Sequence, residues 1–184
     1  GIQIMADLIS LSKVTQEQTL LLVEDQKEHS DSMKEILKGL FNTIYTVTTI
    51  EEAKKIYDKK SPDVIFLDVT LPDGNGLDFA AKIRKKDDNQ IIVIVSASNE
   101  MKHLTKSISL GLNGFIRKPM DSESLIDTLE NIVQVIKKRK KNKYRILPIN
   151  LDLDVYNAIE ALSKEESTSK KSIIMRALKQ TYGM

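Results

Sequence analysis

The chain has 184 residues, 41% hydrophobic and 29% charged, with a net charge of +2, which suits one globular domain of ordinary size and a small second one. No apolar run is long enough for a transmembrane helix, and cysteine is absent, which excludes disulfides and thiolate metal sites. His29 and His103 are the only histidines, so a zinc centre is not expected.

The charge is divided unevenly. Residues 1–136 hold 16 Lys/Arg against 21 Asp/Glu, net −5, and residues 137–184 hold 12 against 5, net +7. The change falls at "KKRKKNKYR", Lys137 to Arg145, with seven basic residues and no acid. Such asymmetry points to a C-terminal part that meets a polyanion, or to a solvated basic linker.

Taken in chain order, residues 1–17 offer Ile2, Ile4, Met5, Leu8, Ile9 and Leu11 for a short helix. No basic residue precedes these apolar positions, so the stretch is not read as a secretory signal. It is expected to be an N-terminal extension without an assigned role. Short apolar runs then alternate with amphipathic segments: "TLLLVED" (19–25), "IYTVT" (44–48), "DVIFLD" (63–68), "QIIVIVSAS" (90–98) and "GFIRKP" (114–119). Between and after them, helical spacing relates Met33, Ile36, Leu37 and Leu40; Ala53, Ile56 and Tyr57; Phe79, Ala80 and Ile83; Leu104, Ile108 and Leu112; and Leu125, Leu129, Ile132, Val133 and Ile136. This fivefold alternation predicts an α/β domain over 18–136, with a doubly wound five-stranded parallel sheet.

Ligands bind beyond the carboxyl ends of the strands in such sheets. The first run ends in Glu24–Asp25, the third in Asp68, the fourth in Ser96 and the fifth in Lys118–Pro119. Three carboxylates gathered at one edge repel one another unless a cation joins them. A hard divalent ion such as Mg²⁺ takes carboxylates, a carbonyl and waters, and binds a phosphoryl group as well. A lysine and a hydroxyl beside it supply the positioning and charge neutralisation that phosphoryl transfer requires. Any one of these residues alone reads as an ordinary polar strand end; the set in this order does not.

Those residues resemble the receiver domain of bacterial response regulators over about residues 18–138. "LLLVEDQ" is similar to the family's acidic pair, "DVIFLDVTLPDGNGLDF" to its phosphoacceptor segment, "IVSAS" to its Ser/Thr switch position, and "GFIRKPM" to its aromatic switch and lysine. The resemblance implies a flavodoxin-like fold with Asp68 as phosphoacceptor for a histidine kinase. It implies Mg²⁺ held by Glu24, Asp25, Asp68 and the main-chain carbonyl of Thr70. Ser96 and Lys118 would bind the phosphoryl oxygens, Ser96 and Phe115 would form the switch, and the Lys118–Pro119 bond would be cis. Such a domain catalyses only its own phosphotransfer and dephosphorylation, so no separate enzyme activity is expected. A haloacid-dehalogenase-type phosphatase also uses a strand-end Asp, but needs a second Asp where this chain has Thr70.

A basic linker is expected over 137–143, then a small domain over 144–184. It opens on an alternating run with Leu147, Ile149 and Leu151 on one face and Ile146, Pro148 and Asn150 on the other. Asp152 or Asp154 can cap a helix striped by Val155, Ile159 and Leu162. Ser169 can cap a second helix holding Ile173, Ile174, Ala177, Leu178 and Tyr182. A strand and two helices bury too little core alone, so a homodimer with paired strands is expected. This part resembles the ribbon-helix-helix DNA readers that include MetJ and Arc. The resemblance implies that Ile146, Pro148 and Asn150 face the major groove, Asn150 reading adenine. The helix start at Ser169, Lys170 and Lys171 would hold a phosphate of double-stranded DNA. The chain departs from that family at Ile146, where a polar or basic reader is common, and at Ser167–Thr168, where a Gly is frequent. The whole is expected to be a cytoplasmic transcription regulator without a membrane partner. A phosphorelay or adaptor protein whose C-terminal part only dimerises or docks a protein remains the alternative.

Overall fold

The computed structural model describes residues 2–97, 101–142 and 152–182. The chain divides into two units, residues 1–143 and 144–184. In the first unit a helix, α1 (Ile2–Thr15), precedes β1 (Thr19–Val23), α2 (Lys27–Leu37), β2 (Thr43–Val47), α3 (Ile50–Lys60) and β3 (Val64–Asp68). A two-residue hairpin, β4 (Thr70–Leu71) and β5 (Gly74–Asn75), leads into α4 (Gly76–Lys86). Then come β6 (Ile91–Ser96), α5 (Met101–Ser109), β7 (Gly114–Arg117) and α6 (Ser122–Asn142). The main sheet has five strands in the order β2-β1-β3-β6-β7, all parallel. This is the doubly wound sheet that the alternation of runs predicted.

Side chains alternate across a strand, so a strand apolar at every position serves two cores. Leu20, Leu22, Val64, Phe66, Val93 and Ile116 join Leu37 of α2 and Leu125, Leu129 and Ile132 of α6 in one cluster. Leu21, Val23, Ile65, Leu67, Ile92 and Ile94 join Ala53 of α3 and Phe79, Ala80 and Ile83 of α4 in the other. All five residues of β3 are buried, which places its last one, Asp68, where two helical layers and the sheet edge converge. Local chemistry fixes the helix starts. Thr49 accepts the Glu52 N–H at the start of α3, and Asn75 Oδ1 accepts the Leu77 N–H at 2.8 Å at the start of α4.

Two segments differ from expectation. The short helix expected within residues 1–17 is 14 residues long and part of the first unit rather than a separate extension. Leu8, Leu11 and Val14 pack against the α2–α6 core, and Thr15 Oγ1 donates to the Leu40 carbonyl at 2.6 Å. The basic stretch expected as a linker over 137–143 is helical through Asn142, continuing α6. Lys and Arg are good helix formers and suit the negative end of the helix dipole, and buried Ile136 anchors the segment. Its charges are partly engaged within this unit: Lys140 pairs with Glu17 at 2.6 Å, and Arg139 donates to the Asn89 carbonyl.

The described part of the second unit consists of α7 (Leu153–Glu165) and α8 (Lys170–Tyr182). Asp152 caps α7 by accepting the Asp154 N–H at 2.9 Å, and Ser169 Oγ caps α8 by accepting the Ser172 N–H at 3.1 Å. Ser167 between them sits at φ 48°, in the left-handed region where glycine fits without strain. The expected strand, with Ile146, Pro148 and Asn150, lies outside the described residues. Of the stripes expected inside, Ile173 is buried and Ile159 and Ile174 are half-buried, whereas Val155, Leu162, Ala177 and Leu178 are exposed. Two helices have too few opposing surfaces to cover both stripes.

Candidate functional site

The carboxyl ends of β1, β3 and β7 meet at one edge of the sheet. Glu24, just past β1, is fully buried, Asp68 ends β3 with 5% exposure, and Asp25 is half-buried. A carboxylate oxygen from each lies within 4.8 Å of those of the other two. Lys118, one residue past β7, reaches back to pair with both Glu24 and Asp68; its side chain is 8% exposed. Burial alone would pull the Lys118 ammonium down. Hydrogen bonds to Asp68 and Glu24, with their charges, outweigh it and leave the group above the ordinary lysine value.

Further contacts hold the carboxylates. Asp68 Oδ1 accepts the Thr70 N–H at 3.1 Å, and Glu24 Oε1 accepts the Gln26 N–H at 3.0 Å. Glu24 Oε2 is buried and touches the Lys118 ammonium as an ion pair, yet has no well-directed hydrogen bond. A buried carboxylate oxygen in that condition, beside two other hard oxygen donors, suits a divalent cation. Ser96 is buried at the end of β6, and its carbonyl accepts the Lys118 N–H at 2.9 Å. The Lys118–Pro119 bond is cis, as the resemblance implied. Phe115 is half-buried against the cluster beneath α3 and α4. The structure thus brings Glu24, Asp25, Asp68 and Lys118 together and sets Ser96 and Phe115 on the neighbouring strands. Thr70, beside Asp68, is exposed.

Two features escaped the sequence reading. A Cβ at Gly76 would stand 1.9 Å from the carbonyl oxygen of Asp68, so the chain passes that close only with glycine there. The Gly76 N–H also donates to the Val69 carbonyl at 2.8 Å, closing the loop under the carboxylate. His29, on α2, has Nδ1 3.9 Å from Glu24 Oε1. It opens onto a cavity of about 350 Å³ whose lining includes Ile36, Ala97, Lys118 and Met120. Its position four residues after Asp25, on the first turn of a helix, was the available signal.

The sequence model for the response regulator receiver domain matches residues 20–130. The chain belongs to that family. The receiver domain is 31% identical over 112 residues to the chemotaxis protein CheY of Listeria monocytogenes, covering 60% of this chain and 94% of that protein. Over 138 residues it is 29% identical to the cell cycle transcriptional regulator CtrA of Caulobacter vibrioides, covering 73% of this chain and 58% of that one. Among solved structures it is similar to the non-phosphorylated HemR receiver domain of Leptospira biflexa. The TM-score is 0.57 at 31% identity, covering 63% of this chain and 94% of the other. No described helix is long and apolar enough to cross a membrane.

Proposed function

We propose that the chain is a two-component response regulator that takes a phosphoryl group from a histidine kinase onto Asp68. A carboxylate oxygen of Asp68 attacks phosphorus, the P–N bond of the phosphohistidine breaks, and its electron pair returns to the imidazole nitrogen. The product is an acyl phosphate, which water later hydrolyses. Glu24, Asp25 and Asp68, with the Thr70 carbonyl, would hold Mg²⁺, whose charge offsets that of the phosphoryl oxygens. Lys118 exchanges its pairing with Asp68 for a phosphoryl oxygen, the Ser96 hydroxyl donates to another, and Phe115 follows Ser96. The cavity beside His29 and Met120 gives a kinase domain an apolar seat next to the carboxylate. The observation that carries the reading is the Asp68 carboxylate, buried between two acids and tied to Lys118. Intact-mass analysis after acetyl phosphate and Mg²⁺ is expected to show one added phosphoryl group in the parent and none in Asp68→Asn. Persistent labelling of that variant would refute the assignment.

The output proposed is DNA binding by a cytoplasmic homodimeric transcription regulator, with the second unit as a ribbon-helix-helix domain. Support comes from the net charge of +7 over residues 137–184, the Ser169 cap at the start of α8 beside Lys170 and Lys171, and the similarity to CtrA. Leu153, Val155, Leu162, Met175 and Leu178 are exposed in a single copy, and a second copy would cover them. Ile146, Pro148 and Asn150 remain the proposed groove-facing residues. One observation favours the alternative, a phosphorelay or adaptor protein with a second unit that only dimerises or docks protein. The Lys170 ammonium lies 4.6 Å from the Tyr156 ring centroid, donates to its hydroxyl at 2.9 Å and pairs with Glu160 at 3.5 Å. A gel-shift titration separates the two. Tight, salt-sensitive binding to one duplex over random DNA, weakened by Asn150→Ala, supports the regulator. Equal weak binding to every duplex supports the adaptor.

A further inference from the structure

The groove between α3 and α4 plays no part in the chemistry at Asp68. It is a cavity of about 390 Å³ with Tyr57 and Phe79 in its floor. Lys54 stands on one wall and Lys82, Lys85 and Lys86 on the other. All four lysines are exposed, and none forms an ion pair among the described residues. Lys85 and Lys86 have a local reason to be basic, since they complement the C-terminal end of α4. Lys54 and Lys82 lie inside their helices, where the dipole gives no such reason. Among the described residues that line the groove, the one acid is Asp58.

We propose that this groove docks an acidic, amphipathic segment of a partner protein. An apolar side chain enters between Tyr57 and Phe79, and flanking carboxylates meet Lys54 and Lys82. Concave apolar floors with a rim of one charge are built for occupants that carry both features. A DNA backbone offers charge but no apolar group to fill the floor, and a free phosphate needs no aromatic surface. The groove is also joined to the loop after Asp68. Asp73 accepts the N–H groups of Ile50 and Glu51, at 2.9 and 3.0 Å, at the start of the α3 wall.

The test is selection of displayed linear peptides on the full-length chain, followed by anisotropy titration of the selected peptides. Selected peptides should carry Asp and Glu around one or two large apolar residues. The double variant Lys54→Glu/Lys82→Glu should weaken them by about tenfold or more, as expected for reversing two exposed charges. An unchanged thermal midpoint shows that this loss is not unfolding. The proposal is overturned if no peptide is selected, if the selected peptides lack acidic residues, or if the double variant binds them as well as the parent. Binding of a short duplex that the double variant abolishes assigns the groove to nucleic acid and overturns it too.

Discussion

Replacing Lys118 with Met keeps a buried apolar stem and removes the ammonium. Glu24 and Asp68 then remain with carboxylate oxygens within 4.8 Å of each other and no cation between them. At an effective dielectric of about 20, that repulsion is at least ~3.5 kcal/mol. The figure agrees with the cost of about 3–5 kcal/mol for breaking a buried ion pair by removing one partner. For a domain of this size that lowers the unfolding midpoint by about 7–14 °C. Mg²⁺ supplies the missing positive charge, so titrating MgCl₂ into Lys118→Met should raise its midpoint more than it raises the parent's. The assay is thermal unfolding followed by circular dichroism, with EDTA and with increasing Mg²⁺. A variant that melts within about 2 °C of the parent in EDTA, or whose deficit Mg²⁺ leaves unchanged, would refute the account of the site as carboxylates held together by cations.

Other substitutions test the frame around the site. Gly76→Ala sets a Cβ against the Asp68 carbonyl oxygen at 1.9 Å, and should cost about 3 kcal/mol or more in denaturant unfolding, whereas Gly39→Ala meets nothing within 4 Å and serves as the control. Arg84 donates to the carbonyls of Asp87, Gln90, Leu110 and Gly111. Arg84→Met should therefore cost about 2–4 kcal/mol, and Arg84→Lys should not restore it, because one ammonium cannot reach four carbonyls. Hydrogen bonds from the Ile50 and Glu51 N–H groups hold Asp73 below its ordinary value of 3.8. Its contribution is complete above that value and is lost as pH falls through the lowered one. The deficit of Asp73→Ala in guanidinium unfolding should accordingly shrink toward zero as the solution is acidified, and a constant deficit would count against the carboxylate's role. Hydrogen exchange should find the α5 amides less protected than those of α4; equal protection would contradict the difference in burial between the two helices.

Most of the receiver unit was readable because its strands are buried on both faces. "VIFLD" is apolar until its last residue, and each side chain in it has a core to enter. The acidic pair, Asp68 and Lys118 were readable because strand ends in a parallel sheet share an edge wherever the strands lie in the chain. The limits have physical causes as well. Ile2, Ile4, Met5 and Ile9 looked as apolar as Leu8 and Leu11, but the docked side of α1 is Leu8, Leu11 and Val14, while Ile2, Ile4, Met5 and Ile9 are exposed. A helix apolar around much of its circumference does not announce which side it buries. The charge of Lys137 to Asn142 suggests a linker, whereas the helix propensity of Lys and Arg carries α6 through it. The need for glycine at Gly76 arises from its distance to Asp68, which no local pattern encodes.

On the proposed phosphorylation of Asp68, the packing of the neighbouring helices distinguishes the routes by which the charge change can travel. α4 begins beside the carboxylate but is fixed by Leu77, Phe79, Ala80 and Ile83 in the core. Moving it would disturb four packed side chains, each worth on the order of 1–3 kcal/mol. α3 is tied to the loop after Asp68 through Asp73 and through Ile50, whose side chain lies beside Gly74. α5 buries only Ser107, while Met101 and Ile108 are 71% and 70% exposed. Thr105 and Ser107 donate to the carbonyls of Met101 and His103, contacts that slightly weaken a helix. The firm attachment of this region is at the far end, where Arg84 holds the Leu110 and Gly111 carbonyls just past the helix. If the proposed phosphorylation of Asp68 displaces Ser96, α5 therefore has less packing to lose than α4. It buries a single side chain, and the turn that follows it is held by Arg84.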